Sequence, residues 1–237
     1  MYDQLTINFG QLDYELFAPE IESYCDILLN RIDPIFEGVD AEQERAAEAF
    51  MSAAETWYGD DYQGAAEAAY EHARDTAVQF MEMRAVFMAT GASGLFHLFE
   101  KQIYRHINSE LKRWLKAPIT KWQDLEKLIP KFDRKHGEPE PCIDLINAFR
   151  DSDLQELRLV ANVVKHGDDG PSYRQLVENR AVVVSQDRLN DDWTAGEYSV
   201  LRANVSVQTQ DAKRYQAALL RFWRLEGTFW APRSAFP

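Results

Sequence analysis

The sequence predicts a mainly helical domain that carries a small β-hairpin and a final helix. Three observations lead there. From about Tyr62 to Leu115 the chain is rich in Ala, Glu, Met, Leu and Arg and has no proline, a composition that favours helix by intrinsic propensity. Further helix starts are marked by a capping side chain followed three residues later by Gln: Asp40 with Gln43, Thr120 with Gln123, and Ser152 with Gln155. Only beyond Gly170 do β-branched runs appear, at 181–184 and 203–207.

The long helical stretch is interrupted only at Thr90 to Gly94, where two glycines predict either two helices or one helix loosened there. Pro118 and Pro130 bound a short helix. Residues 138–141 read as a loop, followed by a helix from about Cys142 to Phe149. A further helix, Asp153 to His166, is ended by Gly167. The two β-branched runs, with an Asp-rich stretch at 187–192 between them, make a hairpin. Thr209 then caps the last helix, Asp211 to Leu225, in which Tyr215, Leu219, Phe222 and Trp223 fall on one side as a core-facing stripe. There is no internal repeat and no long linker. Residues 1–237 therefore read as one domain, with a bundle core over 60–170 and the hairpin plus C-terminal helix, 171–237, packed on it.

Composition excludes several classes. With 46% apolar and 27% charged residues, this chain of 237 residues has the make-up of a folded protein rather than a disordered or low-complexity one. Cys25 and Cys142 are far apart and lack a CxxC spacing, so they predict reduced thiols and neither a zinc knuckle nor a disulfide framework. No run approaches the length of a membrane span, and the first residues are acidic where a signal peptide would be basic; a cytoplasmic protein with no membrane partner is expected. His166 with Asp168 and Asp169 makes a poor metal site, and no phosphate- or dinucleotide-binding motif occurs, so neither metal nor cofactor is expected.

The net charge of -13 is unevenly spread. Residues 1–100 carry 4 basic and 20 acidic side chains, whereas residues 101–135 carry 10 basic and 4 acidic. A polyanion needs only a local cationic surface, because released counterions drive its binding. This stretch keeps nucleic acid open as a partner, and a solvated helix face is the plainer reading.

One helix holds more information. At about 100° per residue, Gln155, Arg158, Asn162, Lys165 and His166 share one stripe about 100° wide. Nearly everything else on that helix is apolar, with Glu156 the exception within its body. A helix greasy on most sides is surrounded by others, so its polar stripe is expected to line a cleft or an interface. The same residues also have a purely structural reading: Lys165 and His166 complement the negative helix end, Gly167 is a left-handed cap, and Asn162 bonds a neighbouring helix.

This segment resembles the HEPN superfamily, helical-bundle proteins whose ribonuclease members carry an Arg-x4-6-His motif near the end of a bundle helix. The resemblance rests on Asn162, His166 and Gly167, with Arg158 one turn upstream of Asn162 and seven residues between Arg158 and His166. It implies a HEPN-like helical bundle in which residues 95–105 supply the partner helix. It also implies a metal-independent endoribonuclease of a toxin or phage-defence system. Cleavage by the RNA's own 2'-hydroxyl needs proton transfer and charge stabilisation on the phosphate. His166 would serve as acid/base, Arg158 and Lys165 as phosphate contacts, and Asn162 as the residue that orients them. Lys101 and Arg105, at the head of the basic stretch, are further candidate RNA contacts. Because one imidazole serves poorly as both acid and base, a two-fold homodimer is expected to supply a second His166. The expected partners are thus a second copy, RNA, or a protein such as an antitoxin. The alternative is a non-catalytic helical scaffold that uses the same stripe as its interface.

Overall fold

The computed structural model describes residues 4–59, 61–134, 145–167, 170–179, 183–184 and 205–232. Strand β1 (Gln4–Phe9) leads into helix α1 (Gln11–Ile27), which continues as one π-helical turn (Leu28–Ile32) and a 3-10 turn (Asp33–Phe36). Helix α2 (Val39–Tyr58) and the 49-residue helix α3 (Tyr62–Glu110) then form an antiparallel pair. The short helices α4 (Trp122–Leu128) and α5 (Leu145–Phe149) flank the two-residue strand β2 (Asp133–Arg134). Helices α6 (Ser152–His166), α7 (Pro171–Glu178) and α8 (Thr209–Trp223) follow, and strand β3 (Gly227–Pro232) ends the described chain. No described helix is long and apolar enough to cross a membrane.

Helix α3 runs unbroken through Thr90 to Gly94, where the sequence allows either two helices or one loosened helix. Gly91 and Gly94 lie inside it, and a Cβ at either would collide with Leu28 or Tyr24 of the preceding segment. The Tyr24 hydroxyl donates to the Gly91 carbonyl oxygen at 3.0 Å. The glycines are therefore packing residues: what the helix loses in propensity, about 1 kcal/mol at each, is offset by the close approach of α1. Ala89, Ala92 and Ser93 beside them are also buried.

Trp223 sits at the centre of the body, fully buried, with its ring 4.3 Å from that of Phe17 and 6.1 Å from that of Phe99. Its indole Nε1 donates to Gln102 Oε1 at 3.0 Å, and Gln102 Nε2 donates to the Phe17 carbonyl oxygen at 3.1 Å. One side-chain amide thus pairs the buried Trp223 indole and ties α1, α3 and α8 together. The expected core stripe of the last helix is present, since Tyr215, Leu219, Phe222 and Trp223 are all buried. The core is not confined to 60–170, because β1, α1 and α8 supply much of it.

Several boundaries shift, each for a local reason. Helix α6 is capped by Asp151, whose carboxylate accepts from the backbone N–H of Asp153 at 2.9 Å and of Leu154 at 3.3 Å, so Ser152 is the first helical residue and not the cap. Helix α8 begins one residue after Gln208, whose backbone N–H is accepted by Asp211; the Thr209 hydroxyl instead donates to the buried Asp33 carboxylate. Asp40 and Thr120 likewise fall beside, not at, the observed caps Gly38 and Lys121. Of the expected hairpin, the described residues show a single antiparallel bridge, Val184 to Val205; the stretch between, the loop at 138–141 and Cys142 lie outside them.

The sheet that is present was not expected. Strand β3 lies between β1 and β2, antiparallel to both, with Phe9 paired to Gly227 and Gln4 to Pro232. Leu5, Ile7 and Phe9 point into the core from alternate positions. Cys25 is buried, and that burial pushes its thiol up to about 12.

Gly91→Ala is expected to lower stability by about 1–3 kcal/mol through overpacking, measured by denaturant unfolding. Thr90→Ala, at the exposed neighbouring position, should be neutral or stabilising. In a Cys142→Ser protein, Cys25 should not react with a thiol reagent at pH 8 until the chain is unfolded.

Candidate functional site

Helix α6 is held as its composition requires. Leu154, Leu157, Leu159, Val160, Ala161 and Val163 are buried, and Gly167 terminates the helix at φ 84, its N–H bonded to the Val163 carbonyl oxygen at 2.8 Å. Only a narrow face is left for polar groups.

That face divides into two halves. In the first, Gln155 Nε2 donates to the Phe149 carbonyl oxygen at 2.6 Å, and Arg158 Nε donates to Gln155 Oε1 at 3.1 Å. Arg158 Nη1 also lies 3.5 Å from Glu126 Oε1 of α4. A cleft of about 290 Å3 opens beside them, lined by Glu126, Ile129, Pro130, Ile146, Phe149, Arg150 and Gln155. In the second half, Asn162 is half-buried and Lys165 and His166 are exposed, with no hydrogen bond or ion pair to any of the three among the described residues. Arg158 and His166 are eight residues apart on one helix, about 12 Å along its axis.

Lys101 and Arg105 belong to the other end of the molecule. From Asp151 to Glu156 along α6, the partners on α8 run backwards from Arg221 to Arg214, so these helices are antiparallel. Helix α8 runs alongside α3 in the same direction, with Thr209 at Arg84, Phe222 at Phe99 and Trp223 at Gln102. His166 therefore lies near the Arg84 level, about 22 Å along α6 from the end that neighbours Phe99 and Gln102. The structure does not bring the two sets together. Beside Lys101 and Arg105 on α3, His97 Nδ1 lies 3.3 Å from Glu100, and the Tyr104 hydroxyl donates to Glu100 at 2.7 Å. Burial and that carboxylate raise the Tyr104 phenol.

The most completely built polar cluster lies on the opposite flank of α6. Arg214 of α8 bonds Asp153, Glu156 and Asp211, and the Tyr215 hydroxyl donates to Glu156 at 2.7 Å. Burial opposes the Arg214 charge, but its three carboxylate partners outweigh it and keep the guanidinium protonated. Burial first, and the Glu156 charge second, push the Tyr215 phenol well above its ordinary range. Glu156, with Asp153 one turn before it, puts charge on an otherwise apolar flank, and a half-buried carboxylate needs a partner. That was the available signal for this cluster. Its geometry is that of a lock between α6 and α8, with every charge already spoken for.

A third group of charges is not spoken for. Lys101, Arg105, Lys112, Arg113, Lys116, Lys121 and Lys127 are all exposed, and none of the described residues forms an ion pair with them. Two acids of the same stretch are engaged elsewhere. Glu110 accepts from Asn8 N at 2.9 Å and Asn8 Nδ2 at 2.8 Å, and Glu126 faces Arg158. Among the described residues no three His, Cys, Asp or Glu side chains stand close enough to hold a metal ion.

Glu156→Gln is expected to cost about 1–3 kcal/mol, because the amide oxygen still accepts but the negative charge that pairs with the part-buried Arg214 is gone. Arg158→Gln, in a more exposed pair, should cost under about 1 kcal/mol. Chemical denaturation of the two variants checks the order. The raised Tyr215 phenol gives a pH dependence as well: its contribution is complete below about pH 10 and is lost as pH rises further, because the unfolded chain ionises first. The melting temperature should fall between pH 10 and 11. Tyr215→Phe should melt lower at pH 7 and lose less over that interval.

Compared with known protein families, with curated proteins and with solved structures, the chain finds no match in any of the three.

Proposed function

We propose that this protein binds RNA, and that the cationic end of α3 with the turn and helix after it is where the phosphate backbone lies. The observation that carries the reading is the set of seven exposed and unpaired Lys and Arg side chains gathered between Lys101 and Lys127 on a chain of net charge -13. Charges left unpaired on an acidic protein are available for counterion release, which supplies most of the affinity for a polyanion.

The HEPN-like resemblance of α6 supports RNA as the polyanion and a nuclease step as a further element of the proposal. Within one chain, Arg158 is held by Glu126 and Gln155 about 12 Å from His166. Cleavage would therefore rely on Lys165 and His166, exposed at the end of α6, meeting their counterparts in a second copy. Binding does not need that contact. For this reason binding is the part of the proposal that the geometry supports best.

A fluorescein-labelled 20-nucleotide single-stranded RNA should bind the full chain at 50 mM salt, with affinity falling steeply as salt rises. The triple variant Lys112→Glu, Arg113→Glu, Lys116→Glu is expected to bind at least tenfold more weakly and with a shallower salt slope. His166→Ala should bind like the parent and lose any cleavage activity. A parent that leaves the RNA free, or a triple variant that binds it equally well, would contradict the assignment.

A further inference from the structure

Helices α2 and the first half of α3 form a hairpin with very little core of its own. Among the described side chains of α2 only Ala54 is buried, and the seam on α3 is made of Ala65, Ala69 and Ala73 at four-residue spacing. Small residues let the two helices approach closely but bury little apolar area. Large apolar groups remain outside: Trp57 is 71% exposed, Tyr62 75% and Tyr70 66%. Isolated exposed apolar residues are ordinary, but Tyr62 and Tyr70 border a groove.

The groove runs between the two helices and has a volume of about 650 Å3. Its floor is Ala47 and Ala66, its walls are Met51, Tyr62 and Tyr70, and Asp40 and Glu44 line it on the α2 side. From Asp40 to Met51 it extends about 16 Å, three helical turns. Two antiparallel helices with a small-residue floor and a flexible Met at the wall present the ridges and grooves into which a third helix packs. The charge around it is one-sided, since residues 39–82 hold 11 acidic and 2 basic side chains.

That charge selects the occupant. A nucleic acid would be repelled. A second copy laid hairpin to hairpin would bring two strongly acidic surfaces together, and its cationic end supplies only Trp114 as an exposed large apolar residue between 101 and 131, too little to form a helical apolar stripe. We propose that the α2–α3 groove is the docking site for a lysine- or arginine-rich amphipathic helix of a partner protein, its apolar stripe on Ala66, Tyr62 and Tyr70 and its cations against Asp40 and Glu44. This is the helix-in-groove mode of recognition, with the charge pattern setting which helices are accepted.

The probe is a labelled 18-residue peptide of Leu and Lys arranged with helical period, compared by fluorescence anisotropy with a shuffled peptide of the same composition. The periodic peptide is expected to bind the full chain at least tenfold more tightly than the shuffled one. Ala66→Arg, at an exposed floor position, should remove that preference, and the double variant Asp40→Lys, Glu44→Lys should weaken binding at least tenfold; matching circular dichroism and melting temperature show that each variant is folded. Equal binding of the two peptides, or binding unchanged in both groove variants, overturns the proposal. So does a parent that sediments as a dimer and that Ala66→Arg converts to a monomer, because the occupant is then a second copy.

Discussion

The arrangement of charge in this protein depends on one constraint, the continuity of helix α3 through Gly91 and Gly94. At these positions intrinsic propensity is weakest, and the close approach of Tyr24 and Leu28 offsets that loss. Because it is unbroken, its 49 residues extend about 74 Å. The acidic hairpin is thereby carried on one end of the rod and the exposed lysines and arginines on the other. That separation exceeds several Debye lengths at physiological salt, so neither end neutralises the other. A hinge at Gly91 would let the two collapse together.

Between those ends the body uses its polar groups to fasten helices. Gln102 joins α1, α3 and α8 through Trp223 and Phe17, and Arg214 joins α6 to α8 through three carboxylates. Arg84 does the same at the base of the hairpin, bonding Asp33, Gln208 and Thr209. Such networks cost much to break and leave nothing to offer a ligand. Function is therefore sought where charge is unspent, at the lysines beyond residue 100 and at the exposed Lys165 and His166 pair.

The sequence was most legible where the signal was local. Missing prolines and helix-favouring side chains marked α3, and Gly167 marked the end of α6. The apolar flanks of α6 and the stripe of α8 were readable as core from helical spacing alone. The fate of Gly91 and Gly94 was not readable, because their reason lies in a helix more than sixty residues away. Nor was the sheet: Leu5, Ile7 and Phe9 alternate as a strand should, but their partner lies at the far end of the chain and contains Pro232. For the candidate site, helical spacing puts Arg158 and His166 on one face about 12 Å apart along the axis, but does not show what each of them meets. The pairing of Arg158 with Glu126 and the placing of Lys101 and Arg105 at the opposite end are tertiary facts.

The account comes down to where an RNA strand touches this molecule. Ultraviolet crosslinking of a single-stranded RNA to the full chain, with the adducts mapped by mass spectrometry, reads that directly. Adducts are expected within residues 101–131, foremost around Lys112, Arg113 and Lys116, and none on the hairpin 39–82. Adducts on the hairpin, or confined to the surroundings of His166 with the 101–131 stretch untouched, would contradict it.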